Sequence, residues 1–579
     1  MARVMEKLKQ EGRRLLLSQS LQWLLVGLGV GIRLVAYLYN RSLWRDEALL
    51  ASNIETRSYA GLLQPLDNQQ AAPVGFLMLE HFVVQILGNS EYALRLVPLF
   101  AGIASLFLMR SVAKRSIAPE AVPIALGFFA ISEKVVYYSS EVKQYSTDVA
   151  IALALVLAAI AICARTIQWQ SAVLFGLAGA LAIWISHPSV FVLAGIGTTL
   201  FLSYCWRREW PNGLLVVAAA LLWGMSFALS YVAVLRETSH SDFLLTFWDG
   251  YGAFAPAAAS AASKLWWFIS AFMKAFENPA GFDWNVLAAI AFFLGLASAF
   301  YYRSSKLLLL AAPIPFVLLA AVLRKYPFLD RLVLFLVPFL LLLIAEGIRV
   351  AARRTWVVGF ALGAALFVQP MINAAVNVRA DPGREDIKPA LAYVRSNWQE
   401  GDVLYVHYAV KRLFKYYAGR TGFEEEDYFK GAKKPDDPAE FQKDLAGLRG
   451  NRRVWVLFLI RNERTAQERE WFLDQVASLG ERVDAIETTG ISVFLYDLSQ
   501  TRSAFRVSRS EFRDSRSTFL LSTRIPNARR GTLHLVNATA SERAPSVLST
   551  VIEDGLPGTK SDFQSPLDSN CLVAFFFFL

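Results

Sequence analysis

Long apolar runs separated by short polar turns fill the first 375 residues of the chain. A helix needs roughly 20 apolar residues to cross the hydrocarbon of a bilayer. Runs of about that length with few charges cover Ser20–Leu38, Tyr92–Met109, Ala121–Tyr138, Tyr145–Ala164, Thr166–Ser186, Ser189–Trp206, Gly213–Leu235, Trp284–Tyr302, Leu307–Leu323, Leu332–Ile348 and Thr355–Ala375. The pattern predicts about eleven spans. Ser20–Leu38 is too long for a signal-peptide core and lacks a small-residue cleavage site, so it reads as a retained first span. Pro73–Gly88, about sixteen residues with Glu80, His81 and Gln85 inside, is short for a span and suits an interfacial or re-entrant helix.

From Val376 the pattern becomes that of a soluble domain. Glu385–Gln399 reads as a helix, Asp402–His407 as a strand, Arg453–Ile460 as a buried strand, Thr465–Leu479 as a helix and Ile491–Asp497 as a last strand. This alternation predicts a small α/β layer outside the membrane. The chain therefore divides into a membrane domain over 1–375, an α/β domain over 376–500 and a tail over 501–579. The tail is rich in Ser and Arg without a sustained period, and closes with Cys571–Leu579, which holds four consecutive phenylalanines. It is expected to be disordered, or the product of an aberrant reading frame, and no function is assigned to it.

Composition agrees with a bilayer as the main solvent: 55% of the 579 residues are hydrophobic and only 18% charged. The net charge of +10 would suggest nucleic acid as a partner of a soluble protein. Here the positive-inside rule accounts for it, and no nucleic-acid partner is expected. Arg110/Lys114/Arg115, Arg165, Arg207/Arg208, Arg303/Lys306 and Arg349/Arg353/Arg354 fall on one side together with the basic N-terminus, which marks that side as cytoplasmic. Residues 40–91, the turns at Glu141 and His187/Pro188, the loops Arg236–Asp283 and Arg324–Arg331, and everything after Ala375 then lie outside, and a bacterial plasma membrane is the expected setting. Three cysteines (Cys163, Cys205, Cys571) exclude a disulfide scaffold and a zinc module, and five scattered histidines form no imidazole cluster. No cofactor is expected; the residues give no sign of a divalent metal and leave its participation open.

The polar residues that could carry chemistry share the outer face. Asp46 and Glu47 stand a few residues beyond the first span, where a carboxylate could take a proton from an acceptor hydroxyl at the membrane surface. The plainer reading is an acidic first turn of an amphipathic helix. In Glu141-Val142-Lys143-Gln144-Tyr145-Ser146-Thr147-Asp148, residues 141, 145 and 148 share one helix face, and Asp148 is expected to point inward with Lys143 or Arg95 as partner. A structural ion pair competes there with a role for Glu141, Lys143 and Asp148 in holding a sugar phosphate. The Lys143 ammonium could stabilise a departing phosphate. Arg324, Lys325 and Arg331 bracket aromatic residues just outside the bilayer, where interfacial snorkelling is the plainer reading for the first two. His187 reads as a turn residue, and Trp266-Trp267 as an interfacial anchor.

Three stretches carry a family resemblance: Trp44-Arg45-Asp46-Glu47-Ala48, Gln69-Gln70-Ala71-Ala72-Pro73 and Ser90-Glu91-Tyr92-Ala93-Leu94-Arg95-Leu96, with one span before them and about ten after. In this setting the chain resembles the GT-C class of polyprenyl-phosphate-dependent membrane glycosyltransferases. The resemblance is to family 39 and Rgt-like enzymes, related to protein O-mannosyltransferases and aminoarabinose transferases, and it covers residues 20–375, with a weaker match in the α/β domain. It implies a GT-C-like polytopic α-helical fold, Asp46 as catalytic base with Glu47 beside it, and Arg331 near the donor phosphate. Relatives carry a lysine just before the proline that follows the first loop, where this chain has Gln70-Ala71-Ala72-Pro73. Phosphate contact at Gln70 is thereby put in question, and the phosphate charge is expected to be met by Arg331 and Lys143, the two cations at span mouths, with Arg95 a further candidate binding residue.

The function implied is transfer of a sugar from a polyprenyl-monophosphate donor to an acceptor hydroxyl on a glycan, lipid or protein at the extracytoplasmic face, with membrane lipid as a further partner. No Gly-rich phosphate loop occurs between a strand and a helix, in keeping with a donor delivered by lipid rather than nucleotide. The alternatives are a transporter or flippase of a lipid-linked glycan, which predicts mid-membrane charges and an internal repeat, and a catalytically silent scaffold, against which the Asp46-Glu47 pair speaks.

Overall fold

The computed structural model describes residues 2–499 apart from 164–166, 258–259, 303, 380–382 and 432–437. The expected tail 501–579 and the loop cations Arg165 and Arg303 lie outside the described residues. The chain is an integral, multi-pass α-helical membrane protein with a small sheet domain after the last apolar helix. Among the described residues eight helices are long and apolar enough to cross a membrane: Gln19–Leu38, Leu96–Ser116, Tyr145–Cys163, Ser189–Trp206, Trp210–Leu235, Ser305–Val322, Asp330–Arg354 and Trp356–Val376. Three further expected spans are shorter apolar helices, Val122–Ile131, Trp169–Ile185 and Asn285–Tyr301, and Pro73–Gly88 forms the helix Val74–Leu87. The run expected over Ala121–Tyr138 is shortened because the chain breaks at Ser132 and restarts as Glu133–Tyr137.

One helix is the post of the bundle. From Val337 to Arg349 every residue of Val337–Arg354 is buried, and its neighbour Asn285–Tyr301 packs backbone to backbone against it. A Cβ on Gly295 would sit 2.0 Å from the Leu343 carbonyl oxygen, and one on Gly347 1.8 Å from that of Ala291. Only glycine permits this approach, which is the small-residue packing that substitutes for hydrophobic drive inside a membrane. The 3-10 segment Asp330–Leu336 leads directly into the post, so Arg331 is carried at the foot of the most deeply buried helix.

Among the described residues the sheet domain has five strands: β1 (Val403–Val406), β2 (Tyr428–Lys430), β3 (Arg453–Leu459), β4 (Glu481–Thr488) and β5 (Ile491–Asp497), in the order β2-β1-β3-β5-β4. β1 is parallel to β2 and β3, while β5 runs antiparallel to β3 and β4. One face packs on Phe441, Phe472 and Val476. The other packs on the helix Ile387–Ser396 and shares a single apolar core with Leu43, Leu50, Ile54, Phe76 and Leu94 of the first loop region. The loop that carries the acidic motif is thus clamped between membrane helices and the sheet domain.

Candidate active site

Four separate segments meet around Asp46. The first is the helix Arg45–Thr56, which starts because Trp44 is extended and the Glu47 carboxylate accepts the Trp44 backbone N–H at 3.3 Å. A carboxylate at this position caps free donors of the first turn. The second is the loop before Pro73, where Asn68 and Gln69 adopt left-handed backbone conformations and Gln70 donates from Nε2 to Asp46 Oδ1 at 3.2 Å. The third is the irregular stretch 141–144, from which Lys143 Nζ reaches Asp46 Oδ2 at 3.4 Å and donates to Gln70 Oε1 at 2.8 Å. The fourth is the foot of the post, whose Arg331 Nη2 lies 3.1 Å from Asp46 Oδ2.

The electrostatics follow from this geometry. Burial pushes the Asp46 carboxyl up, but the two cations and the Gln70 hydrogen bond outweigh it and hold Asp46 well below the usual aspartate range. Burial lowers the Lys143 ammonium, against the opposing pull of Asp46. Asp46 keeps 21% of its side chain exposed and Arg331 16%, whereas Lys143 keeps 4%. The opening of the site is therefore at Asp46 and Arg331, with Lys143 behind them.

Glu47, expected beside Asp46 in the reaction, is engaged elsewhere. It is completely buried, it pairs with Arg95, and it accepts the Val142 backbone N–H at 2.8 Å. Arg95 spends its remaining donors on the carbonyls of Arg41 at 2.7 Å and Ser42 at 3.3 Å, so neither residue has a group left for a substrate. Asp148 is buried but is paired with neither Lys143 nor Arg95, because both are committed to other carboxylates, and its Oδ1 has no hydrogen-bond partner among the described residues. Glu141 is likewise buried with both carboxylate oxygens unpartnered. Its carboxyl is pushed up by burial and then by Glu47, against the pull of Arg384, Arg331 and Arg41.

Of the other residues singled out in the sequence, Arg324 pairs with Asp249 at 3.1 Å and lies over the Phe254 ring, while Lys325 is exposed. His187 sits in its turn with burial holding the imidazole down to about 4. Trp266 is exposed, and Trp267 donates to the Gly252 carbonyl at 3.0 Å.

Two contributors had no role in the sequence reading. Trp44 lies under two guanidinium groups, Arg331 at 5.5 Å and Arg384 at 4.5 Å from its ring centroid. Arg384 belongs to the junction with the sheet domain, which is tied to the motif at several points. Glu385 accepts the Arg45 backbone N–H at 2.7 Å, Ser42 Oγ donates to Asp386, and the Lys388 backbone N–H donates to Ser42 Oγ at 3.0 Å. A single arginine in a linker has no periodicity or motif to mark it; only the tertiary contact does. Among the described residues no group of His, Cys, Asp and Glu is arranged to hold a metal ion.

No family model and no curated protein matches the chain. Among solved structures it is similar to ArnT from Cupriavidus metallidurans in the apo state, at 12% identity and a TM-score of 0.48 over 83% of this chain and 98% of that one. It is similar to the same protein bound to undecaprenyl phosphate, at 11% identity and a TM-score of 0.48 over 82% and 97%. It is also similar to the Archaeoglobus fulgidus oligosaccharyltransferase in complex with Zn and sulfate, at 11% identity and a TM-score of 0.46 over 82% and 73%.

Proposed function

We propose that the protein is a membrane glycosyltransferase that moves a sugar from a polyprenyl-monophosphate donor to an acceptor hydroxyl at the extracytoplasmic face. Asp46 acts as base, and Lys143 and Arg331 receive the donor phosphate. The observation that carries this reading is the convergence of Lys143 and Arg331 on one partly open carboxylate at the foot of the buried post helix. Gln70 occupies the place where a lysine was expected from the resemblance, and Lys143 brings a cation to it from another segment.

The arrangement also sets an order of events. With both cations on it, Asp46 is a weak proton acceptor. A phosphate entering at Arg331 competes for those cations, and as they turn toward it the carboxylate regains basicity. The acceptor oxygen then attacks the anomeric carbon while Asp46 takes its proton, and the bond to the phosphate oxygen breaks. The departing polyprenyl phosphate gains one negative charge, which Lys143 and Arg331 are placed to meet. Attack opposite the leaving group inverts the anomeric centre.

The test is transfer by the purified full chain, in detergent or nanodiscs, from polyprenyl-phosphoryl sugars to a panel of hydroxyl acceptors, with Asp46→Asn as control. Identifying the lipid-linked sugar that accumulates in cells lacking the protein selects the donor. Turnover that survives in Asp46→Asn at the wild-type rate removes the assignment.

A further inference from the structure

Beside the Asp46 cluster, six side chains close a circuit. Tyr137 packs on Tyr138 with ring centroids 5.3 Å apart, and Tyr138 on Tyr145 at 5.0 Å. The Arg331 guanidinium lies 5.7 Å from the Tyr145 ring and 5.5 Å from that of Trp44. Arg384 lies 4.5 Å from the Trp44 ring and 5.0 Å from that of Tyr137, which completes the loop. Glu141 follows Tyr137 and Tyr138 by four and three residues, is fully buried, and its charge acts on all three tyrosines and on both arginines. Both Glu141 oxygens, the Tyr137 hydroxyl and the Trp44 indole N–H are buried without a hydrogen-bond partner among the described residues. A buried polar atom left unpaired costs about 1–3 kcal/mol, and more when charged, so several in one place call for a partner that supplies the missing bonds.

We propose that this circuit seats the transferred sugar, and that it takes a neutral hexopyranose through two adjacent ring hydroxyls that donate to the two Glu141 oxygens. The proposal rests on the transferase reading above and names its substrate class. Arg331 belongs both to the circuit and to the Asp46 cluster, so a phosphate held there hangs its sugar into the circuit. The unpaired atoms are a carboxylate acceptor, a phenol and an indole donor, a set that matches hydroxyl groups. Tyrosine ring faces suit the C–H faces of a pyranose. An ammonium sugar would bring a fourth positive charge beside Arg384, Arg331 and Arg41, which all act on the Glu141 carboxylate and outnumber the one neighbouring acid, Glu47. Such like-charge proximity is a standard means of rejecting the wrong ligand.

The experiment measures equilibrium binding to the full chain in nanodiscs of three short-chain probes: polyprenyl phosphate, polyprenyl-phosphoryl glucose and polyprenyl-phosphoryl glucosamine with its free amine. The neutral sugar is expected to tighten binding over the bare lipid phosphate by about tenfold or more, the worth of one to two hydrogen bonds to a charged group, and the amino sugar to give no such gain. Glu141→Gln is expected to erase the gain while leaving affinity for the bare lipid phosphate intact, which also reports that the variant is folded. A second arm needs no variant: donors lacking one ring hydroxyl at a time should lose the gain at two adjacent positions and nowhere else. Binding of lipid phosphate with no gain from the sugar, an equal gain in Glu141→Gln, or a preference for the amino sugar overturns the proposal and leaves the transferase reading standing. Failure of the wild type to bind polyprenyl phosphate at all overturns both.

Discussion

Glu47 and Arg95 form a two-pronged ion pair, Nε to Oε1 at 3.1 Å and Nη2 to Oε2 at 3.0 Å, with both side chains withdrawn from solvent. Through it the backbone of Arg41 and Ser42 on one side and of Val142 on the other are joined by hydrogen bonds to a single buried unit. Asp46 is the next residue to Glu47, and Lys143 is the next residue to Val142. The pair therefore fixes the two segments whose adjacent side chains meet in the site, and its role is positioning.

Removing one half of this pair strands the other charge. Arg95→Met should lower the stability of the solubilised protein by about 3–5 kcal/mol, the usual penalty for breaking a buried pair, read from thermal or denaturant unfolding. The double variant Glu47→Gln/Arg95→Met should recover much of that loss, since no charge is left behind. If Glu47 instead serves as the base, Glu47→Gln alone will lose turnover as completely as Asp46→Asn while keeping its stability.

Asp46→Asn should slow transfer by about two to four orders of magnitude, the worth of a positioned general base. It should also bind the bare lipid phosphate more tightly than the wild type, because Lys143 and Arg331 are released from the carboxylate that competes with the phosphate. Titration of wild type and variant with polyprenyl phosphate checks the sign. Weaker binding in the variant would mean that Asp46 orients the cations rather than competing for them.

Arg331→Ala should impair both donor affinity and turnover, with a combined cost of about 1.5–3 kcal/mol for one charge-assisted contact, because charge grows on the phosphate as the bond breaks. Arg331→Lys should restore part of the affinity and less of the rate, since an ammonium cannot reproduce the planar two-pronged grip or the stacking on Trp44. Steady-state kinetics with varied donor separate the two effects. Unchanged kinetics in Arg331→Ala together with loss in Lys143→Ala would move the phosphate site behind Asp46.

The membrane helices and the strands β1, β3 and β5 were legible because their signals are long: runs of apolar residues, or buried strands bounded by turns. β4 was missed because Glu481–Thr488 is a polar edge strand with half its residues charged and one face in solvent. β2 was missed because three residues carry no period. Asp46, Gln70, Lys143 and Arg331 were each marked by position relative to a span, and the structure brings these four together. The Glu47–Arg95 pair was not legible because charge type does not say which acid finds a buried partner; that depends on a contact 48 residues apart in the chain. Arg384 depends on a still longer one.

Orientation is open to direct measurement. Reporter fusions after Arg115 and Arg208 should report cytoplasm, and fusions near Glu141 or within the sheet domain between Asp402 and Asp497 should report the outside, as the basic loops require. A cytoplasmic signal from the sheet domain would put the Asp46 cluster on the wrong face for an extracytoplasmic acceptor.

The last expectation concerns pH. Asp46 titrates well below the usual aspartate range in the folded protein because Lys143 and Arg331 outweigh its burial, whereas in the unfolded chain it titrates near about 3.9. A depressed carboxyl stabilises the fold fully at any pH above the unfolded value, where it is ionised in both states. The stabilisation drains away only as pH falls below that value, because the unfolded chain then takes up the proton first. The stability difference between wild type and Asp46→Asn should therefore stay level from about pH 8 to about pH 5 and shrink below about pH 4. Melting temperatures of both proteins across that range, in one detergent and at fixed ionic strength, make the comparison. A difference that already disappears between about pH 7 and about pH 5 would place Asp46 near its ordinary titration range or above it. It would then be incompatible with two cations resting on the carboxylate before the donor arrives.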